Sequence, residues 1–377
     1  MFYSNFEFNS NPRSRFFLLP FFLFISTMEN KYKLLLIIAL PFLFTIAVFF
    51  FVIYYCYLCR RTHKTVESTT PDLEENRKGK EEEEEVETED LMKFQGGEDL
   101  TSHDILEAPG EVIGKSSYGT LYEANLISTE TVAVLRFLRP ACAGKLKEVV
   151  PLIQFLGSVR HQNLVPLHAF YAGPRGEKLL VYPFLGKGNL EQFIRDGNGD
   201  FYKWAIIHKI SIGIARGIEH LHCRLKKPLI HGNLKSKNVL LDQNYHPFVS
   251  DFGLHLLLNE MAGQELLSEG YKAPELIKMK NANESTDIYS LGVIFLELVT
   301  RKEPKKENDH DFYLPNIMRD SILNHPMGKN IYNSYIILEA EDKVLAFVRL
   351  ALACCSPSPS HRPDIKQVLE KLEEIVR

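Results

Sequence analysis

Two stretches carry residue types and spacings suited to phosphate chemistry. In "IGKSSYG", residues 113–119, Gly114 and Gly119 bracket a turn whose backbone N–H groups can approach a phosphate with no side chain in the way. Ser116 stands between them, small enough to weaken such contact without abolishing it. In "HGNLKSKN", residues 231–238, Asn233 can hydrogen-bond a hydroxyl but cannot take its proton as a carboxylate would. A third candidate, the CxxC of Cys56 and Cys59, closes an apolar run with no strand-turn-helix pattern around it. That context argues against redox chemistry and for membrane-proximal cysteines open to palmitoylation.

The elements that must position these residues begin near residue 105. "EVIGKSSYGTLYEANL" reads as strand, glycine turn, strand, and "TVAVLRFL" as a further strand with alternating faces. "IIHKISIGIARGIEHLH" sets Ile207, Ile210, Ile214, Ile218 and Leu221 at helical steps, an amphipathic helix. "DIYSLGVIFLELV" is apolar nearly all round, as a helix buried in a large lobe must be, and "PDIKQVLEKLEEIVR" is a helix with Pro363 near its start. Upstream, residues 1–33 contain "FFLLPFFLFIST", which follows Arg13 and Arg15 and has the length of a signal-peptide core, with Met28 as an alternative start. Residues 34–59 are uncharged and long enough to cross a hydrocarbon layer of about 30 Å. Tyr54, Tyr55 and Tyr57 end that run, and Arg60, Arg61, His63 and Lys64 follow, which favours a cytosolic C-terminal portion against the smaller weight of Lys31 and Lys33. Residues 60–104 read as an acidic juxtamembrane linker, its "EEEEEVETED" a solvated spacer or, alternatively, a docking tail for a basic partner. The net charge of -4 argues against generic nucleic-acid binding, and no internal repeat is present.

One glycine turn is weak evidence, but six motifs in a fixed order are strong. "IGKSSYG", "VAVLR", "HGNLKSKN", "DFG" at 251–253, "APE" at 273–275 and "DIYSLG" at 287–292 follow one another. With "RHQNLVPLHAFYAG", "EKLLVYPF" and "SPSPSHRP", the chain from about residue 91 resembles the plant leucine-rich-repeat receptor-like kinases. The resemblance implies an α+β, bilobal protein-kinase fold over 105–377 after one transmembrane helix: a β-rich small lobe, 105–182, and an α-helical large lobe, 186–377. It implies an adenine site walled by Val112, Leu121, Ala133 and Leu240, a hinge at Tyr182 to Gly186, and Gly114 and Gly119 over the phosphates. It puts Asn238 and Asp251 at the magnesium positions and Lys235 at the γ-phosphate, Asn and Asp there being equally able to shape the loop by local hydrogen bonds. Glu275 and Arg362 would form a buried structural pair, and Asp287 would brace the catalytic loop.

Against that pattern the chain departs in several places. Asn233 stands where the family's base is an Asp. Gly232 replaces the Arg that reads a phosphorylated activation segment, a segment whose only hydroxyl-bearing residues here are Ser268 and Tyr271. Leu135 stands at the lysine of the third strand. Arg136 beside it should point to the opposite face, and Lys115 in the glycine turn is an alternative source of charge. Counting back nine residues from His161 places the helix glutamate at Leu152, with Glu148 one turn earlier as the other equivalent. Removing one partner of a buried ion pair costs about 3–5 kcal/mol, whereas replacing both by apolar residues is often neutral, so a double leucine reads as a repacked lobe. Three functions then compete. The first is a membrane-anchored pseudokinase that scaffolds or allosterically assists an active receptor-like kinase, with ATP and Mg2+ binding weak or absent. The second is a weak or atypical Ser/Thr protein kinase, and the third a receptor relic without a specific role.

Overall fold

The chain divides into two units, Met1–Glu83 and Glu84–Arg377. The computed structural model describes residues 90–376 apart from 197–201, 268–269, 307–308 and 325–333. The signal-like stretch, the apolar run 34–59, Cys56, Cys59, nearly all of the acidic block and Ser268 lie outside the described residues. No helix among the described residues is long and apolar enough to cross a membrane.

A six-stranded antiparallel sheet forms the small lobe. Its strands are β1 (Asp90–Lys93), β2 (Gly110–Lys115), β3 (Gly119–Leu126), β4 (Thr131–Leu138), β5 (Ala169–Ala172) and β6 (Lys178–Pro183), in the spatial order β1-β5-β6-β4-β3-β2. Helix α1 (Ser102–Glu107) starts at a capping box in which Thr101 and Asp104 satisfy each other's backbone N–H groups. Its Ile105, with Leu100, covers one sheet face over Ala124, Leu126, Ala133 and Leu135. The folded domain therefore begins near residue 90 and not at 105, since the end of the expected linker supplies an edge strand and a covering helix. Four residues of mixed polarity carry no strand signal of their own; β1 exists because β5 offers it an open edge.

Helix α2 (Leu146–Ser158) packs beside this sheet, and the Phe94 ring lies so close to Gly157 that no larger residue fits there. The large lobe follows with α3 (Leu190–Asp196), α4 (Trp204–Glu219), the hairpin β7 (Val239–Leu241) and β8 (Pro247–Val249), the short α5 (Glu260–Gln264) and α6 (Glu284–Thr300). After these come α7 (Leu314–Asn324), α8 (Ser334–Cys354) and α9 (Ile365–Val376). The expected stripe of α4 is realised, with Ile207, Ile210, Ile214 and Ile218 fully buried. Helix α6 is buried on nearly every side, as its sequence demands. Arg362 reaches Glu275 with two hydrogen bonds of 2.6 and 2.8 Å, tying the segment before α9 to the end of the activation segment.

Candidate functional site

A cleft of about 340 Å³ lies between the lobes. Four residues, 127–130, join β3 to β4, and this turn fixes Leu121 opposite Arg136 and Glu123 opposite Val134. All four line the cleft. Ala133 and Leu135, opposite Ala124 and Tyr122, belong to the other face and its apolar cluster. Val134, not Ala133, therefore roofs the cleft, and Arg136, not Leu135, stands in the lysine's place. The alternation of side chains holds, but the expected register is off by one. Both faces of β4 are buried, so "TVAVLRFL" offers no polar face to mark the outside.

Val112 is displaced for a related reason. The β2–β3 ladder pairs Val112 with Tyr122 and Gly114 with Leu121, leaving Ile113 as the extra residue of a bulge. Ile113 thereby turns into the cleft and Val112 lies across from Tyr122 on the outer face. Of the expected wall, Leu121 and Leu240 line the cleft, as do Tyr182 and Gly186 of the expected hinge. Gly114 and Gly119 flank the turn between β2 and β3, and neither is among the residues that line the cleft. Ser116 closes that turn by donating through N and Oγ to the Gly119 carbonyl, at 2.9 and 3.1 Å.

At the deep end Arg136 meets Asp251. Its Nη2 donates to both carboxylate oxygens, at 2.7 and 2.6 Å, and both residues are buried. Burial alone would pull the Arg136 pKa down, but the adjoining Asp251 charge more than offsets it and the pKa is raised. Tyr118 of the glycine turn is buried close by, and burial together with Asp251 raises its hydroxyl pKa. Helix α2 supplies no carboxylate here: Leu152 packs against the core and Glu148 is exposed. The ion pair that the resemblance would place between β4 and α2 runs between the two lobes instead.

Below it, Asp287 of α6 holds the loop 231–238 in shape. The carboxylate accepts from the His231 and Gly232 backbone N–H groups, at 2.7 and 3.0 Å, and from His222 Nε2 at 2.9 Å. Burial would raise its pKa, yet these bonds leave it below the usual carboxylate value. Gly232 has φ +74°, and a Cβ there would lie 2.6 Å from His255 Nδ1. His255 thus fills the room a larger residue 232 would need. No sequence signal links these two positions.

Asn233 is buried, and neither atom of its amide head has a hydrogen-bond partner. Its backbone carbonyl accepts from Asn238 Nδ2 at 2.8 Å. Lys235 is half-buried, and burial holds its ammonium pKa below the ordinary value despite the pull of Asp251. Asn238 and Asp251 both line the cleft. A hard divalent cation would require free oxygens there, whereas the Arg136 guanidinium holds both Asp251 oxygens. The donor set present does not fit a bound Mg2+.

This bilobal plan has relatives. Residues 108–372 match the protein kinase domain family. The chain belongs to the protein kinase family. The kinase-like protein TMKL1 of Arabidopsis thaliana is 38% identical over 339 residues, 84% of this chain and 49% of that one. This kinase-family chain thus spans about half the length of that curated relative. The kinase domain of maize SIRK1 (sucrose-induced receptor kinase 1), solved bound to AMP-PNP, has a TM-score of 0.68 at 30% identity and covers 76% of this chain and 100% of that one. The pseudokinase domain of BIR2, an immune regulator of the RLK/Pelle family, has a TM-score of 0.61 at 27% identity, covering 73% and 82%. Its kin among curated proteins are plant receptor-like kinases, several of them described as inactive.

Proposed function

We propose that this protein is a pseudokinase that signals by binding an active receptor-like kinase, anchored in the membrane by residues 34–59. The observation that carries this reading is the buried Arg136–Asp251 pair, which occupies the carboxylate that phosphoryl transfer would give to a metal ion. Asn233 adds to it, because an amide accepts no proton from an attacking hydroxyl. The naming of BIR2 as a pseudokinase and immune regulator supports the same direction. A nucleotide in the cleft is compatible with this role, as the AMP-PNP complex of the maize domain suggests, without implying turnover.

The test is phosphotransfer from labelled ATP by residues 84–377, alone and with a generic protein acceptor. Incorporation at the level of the Asp251→Asn variant is the expected result. The competing reading, a weak Ser/Thr kinase, rests on the retained Asn238, Asp251 and Lys235 and requires incorporation that disappears in that variant. Such a loss would overturn the pseudokinase assignment.

A further inference from the structure

Resting on the nucleotide-compatible cleft just described, we propose that this domain binds an adenine nucleotide without a divalent cation, the Arg136 guanidinium supplying the positive charge. Three observations converge on that site. The cavity is walled by Ile113, Leu121, Val134 and Leu240, apolar side chains from both lobes that can sandwich a flat heterocycle. Its volume, about 340 Å³, lies at the small end of ligand sites and suits a base and sugar better than a fully enclosed triphosphate.

The second observation is the disposition of Arg136. Only Nη2 is committed to Asp251, and Nε is buried with no partner. Arg136 lines the cavity with N–H capacity that Asp251 does not use, and a phosphate oxygen, the acceptor a guanidinium fork matches best, can take it once the side chain turns toward the cavity. The third is electrostatic. A metal ion on Asp251 would have to displace the guanidinium or sit beside it, two like charges in a buried site. Asn238 cannot compensate alone, since a cation of this kind needs several oxygen ligands. Base on the apolar walls and first phosphates on Arg136, with the remaining phosphate charge left to solvent, is the arrangement that puts no second cation beside the guanidinium.

The experiment is a titration of residues 84–377 with ADP and with ATP, in EDTA and in millimolar MgCl2, read by calorimetry and thermal shift. In parallel, electron paramagnetic resonance follows Mn2+ binding. ADP affinity should be the same in the two buffers within about threefold, ATP should gain nothing over ADP, and no protein-bound Mn2+ signal should form. Arg136→Gln frees Asp251, so it should weaken ADP in EDTA about tenfold or more and create a Mn2+ signal in the presence of ADP. Should that variant not fold, Val134→Phe, which fills the cavity and leaves the ion pair in place, should melt cooperatively and lose the ADP response. Mg2+ tightening ADP or ATP tenfold in the wild-type domain, or Mn2+ binding to it, would overturn the proposal. A cooperative melt unmoved by either nucleotide in either buffer overturns it too. That last outcome leaves the pseudokinase reading untouched, since only phosphotransfer refutes it.

Discussion

At the residue scale, the buried polar groups of this domain are held by specific neighbours, and where a neighbour is missing the consequence is measurable. Glu297 on α6 is the clearest case. It is buried, accepts from Ser236 Oγ at 3.3 Å through one oxygen, and has no partner at the other. Burial pushes its pKa up to about 8 from an ordinary value of 4.5. A carboxyl whose folded pKa is raised contributes stability that is complete below 4.5 and is lost as pH rises through 8, because the unfolded chain gives up its proton first. Glu297→Gln keeps the shape and cannot ionise. It should leave stability at pH 5 nearly unchanged and raise it at pH 8 by about 1–3 kcal/mol, measured by urea unfolding. An equal effect at both pH values would show that the carboxyl is ionised in the fold.

At the scale of single elements, what the sequence reveals depends on whether one face of the element meets water. Helix α4 was legible because its buried isoleucines alternate with polar residues, and α6 because it has almost no polar residues to place. Strand β4 was legible as a strand but not in register, since apolar side chains cover both its faces. Its arginine is plain in the sequence, but alternation from Leu135 alone points it outward. Counting antiparallel pairs back from the turn at 127–130 would have put Arg136 opposite Leu121 and hence in the cleft. The bulge at Ile113 and the edge strand β1 leave no such trace, because each is set by a partner strand and not by its own residues. The Gly232–His255 contact is equally tertiary. Gly232→Ala should cost about 1–3 kcal/mol, from a side chain held at positive φ and from collision with the imidazole. The double variant Gly232→Ala with His255→Ala should recover the steric part, giving a coupling of about 0.5 kcal/mol or more in a double-mutant cycle. Additive effects would mean that the ring does not hold that space.

At the scale of the whole domain, the two lobes are joined by more than the Arg136–Asp251 pair. The start of the activation segment runs alongside the loop that precedes α2. Gly144 N donates to the Leu257 carbonyl at 2.9 Å, and Asn259 donates through its backbone N to Cys142 O and through Nδ2 to Ala141 O, each at 2.8 Å. Asn259 Oδ1 in turn caps α5 by accepting from Ala262 N at 3.0 Å. Leu254, Leu257 and Leu266 anchor the same segment in the core. A segment ordered by buried leucines and by one bridging asparagine needs no phosphate to arrange it, which agrees with Gly232 at the site of a phosphate-reading arginine. Hydrogen exchange tests this on the unphosphorylated, nucleotide-free domain, where amides of 254–266 should be protected well beyond those of an open loop. Asn259→Ala removes the cap and one interlobe bond together, a loss of about 1–2 kcal/mol that should speed exchange there roughly tenfold. Because the same side chain grips residue 141, the loop 139–145 should accelerate with it. Acceleration of the segment alone would mean that the lobes are held by the ion pair and not by this strap, and that the closed arrangement depends on Arg136.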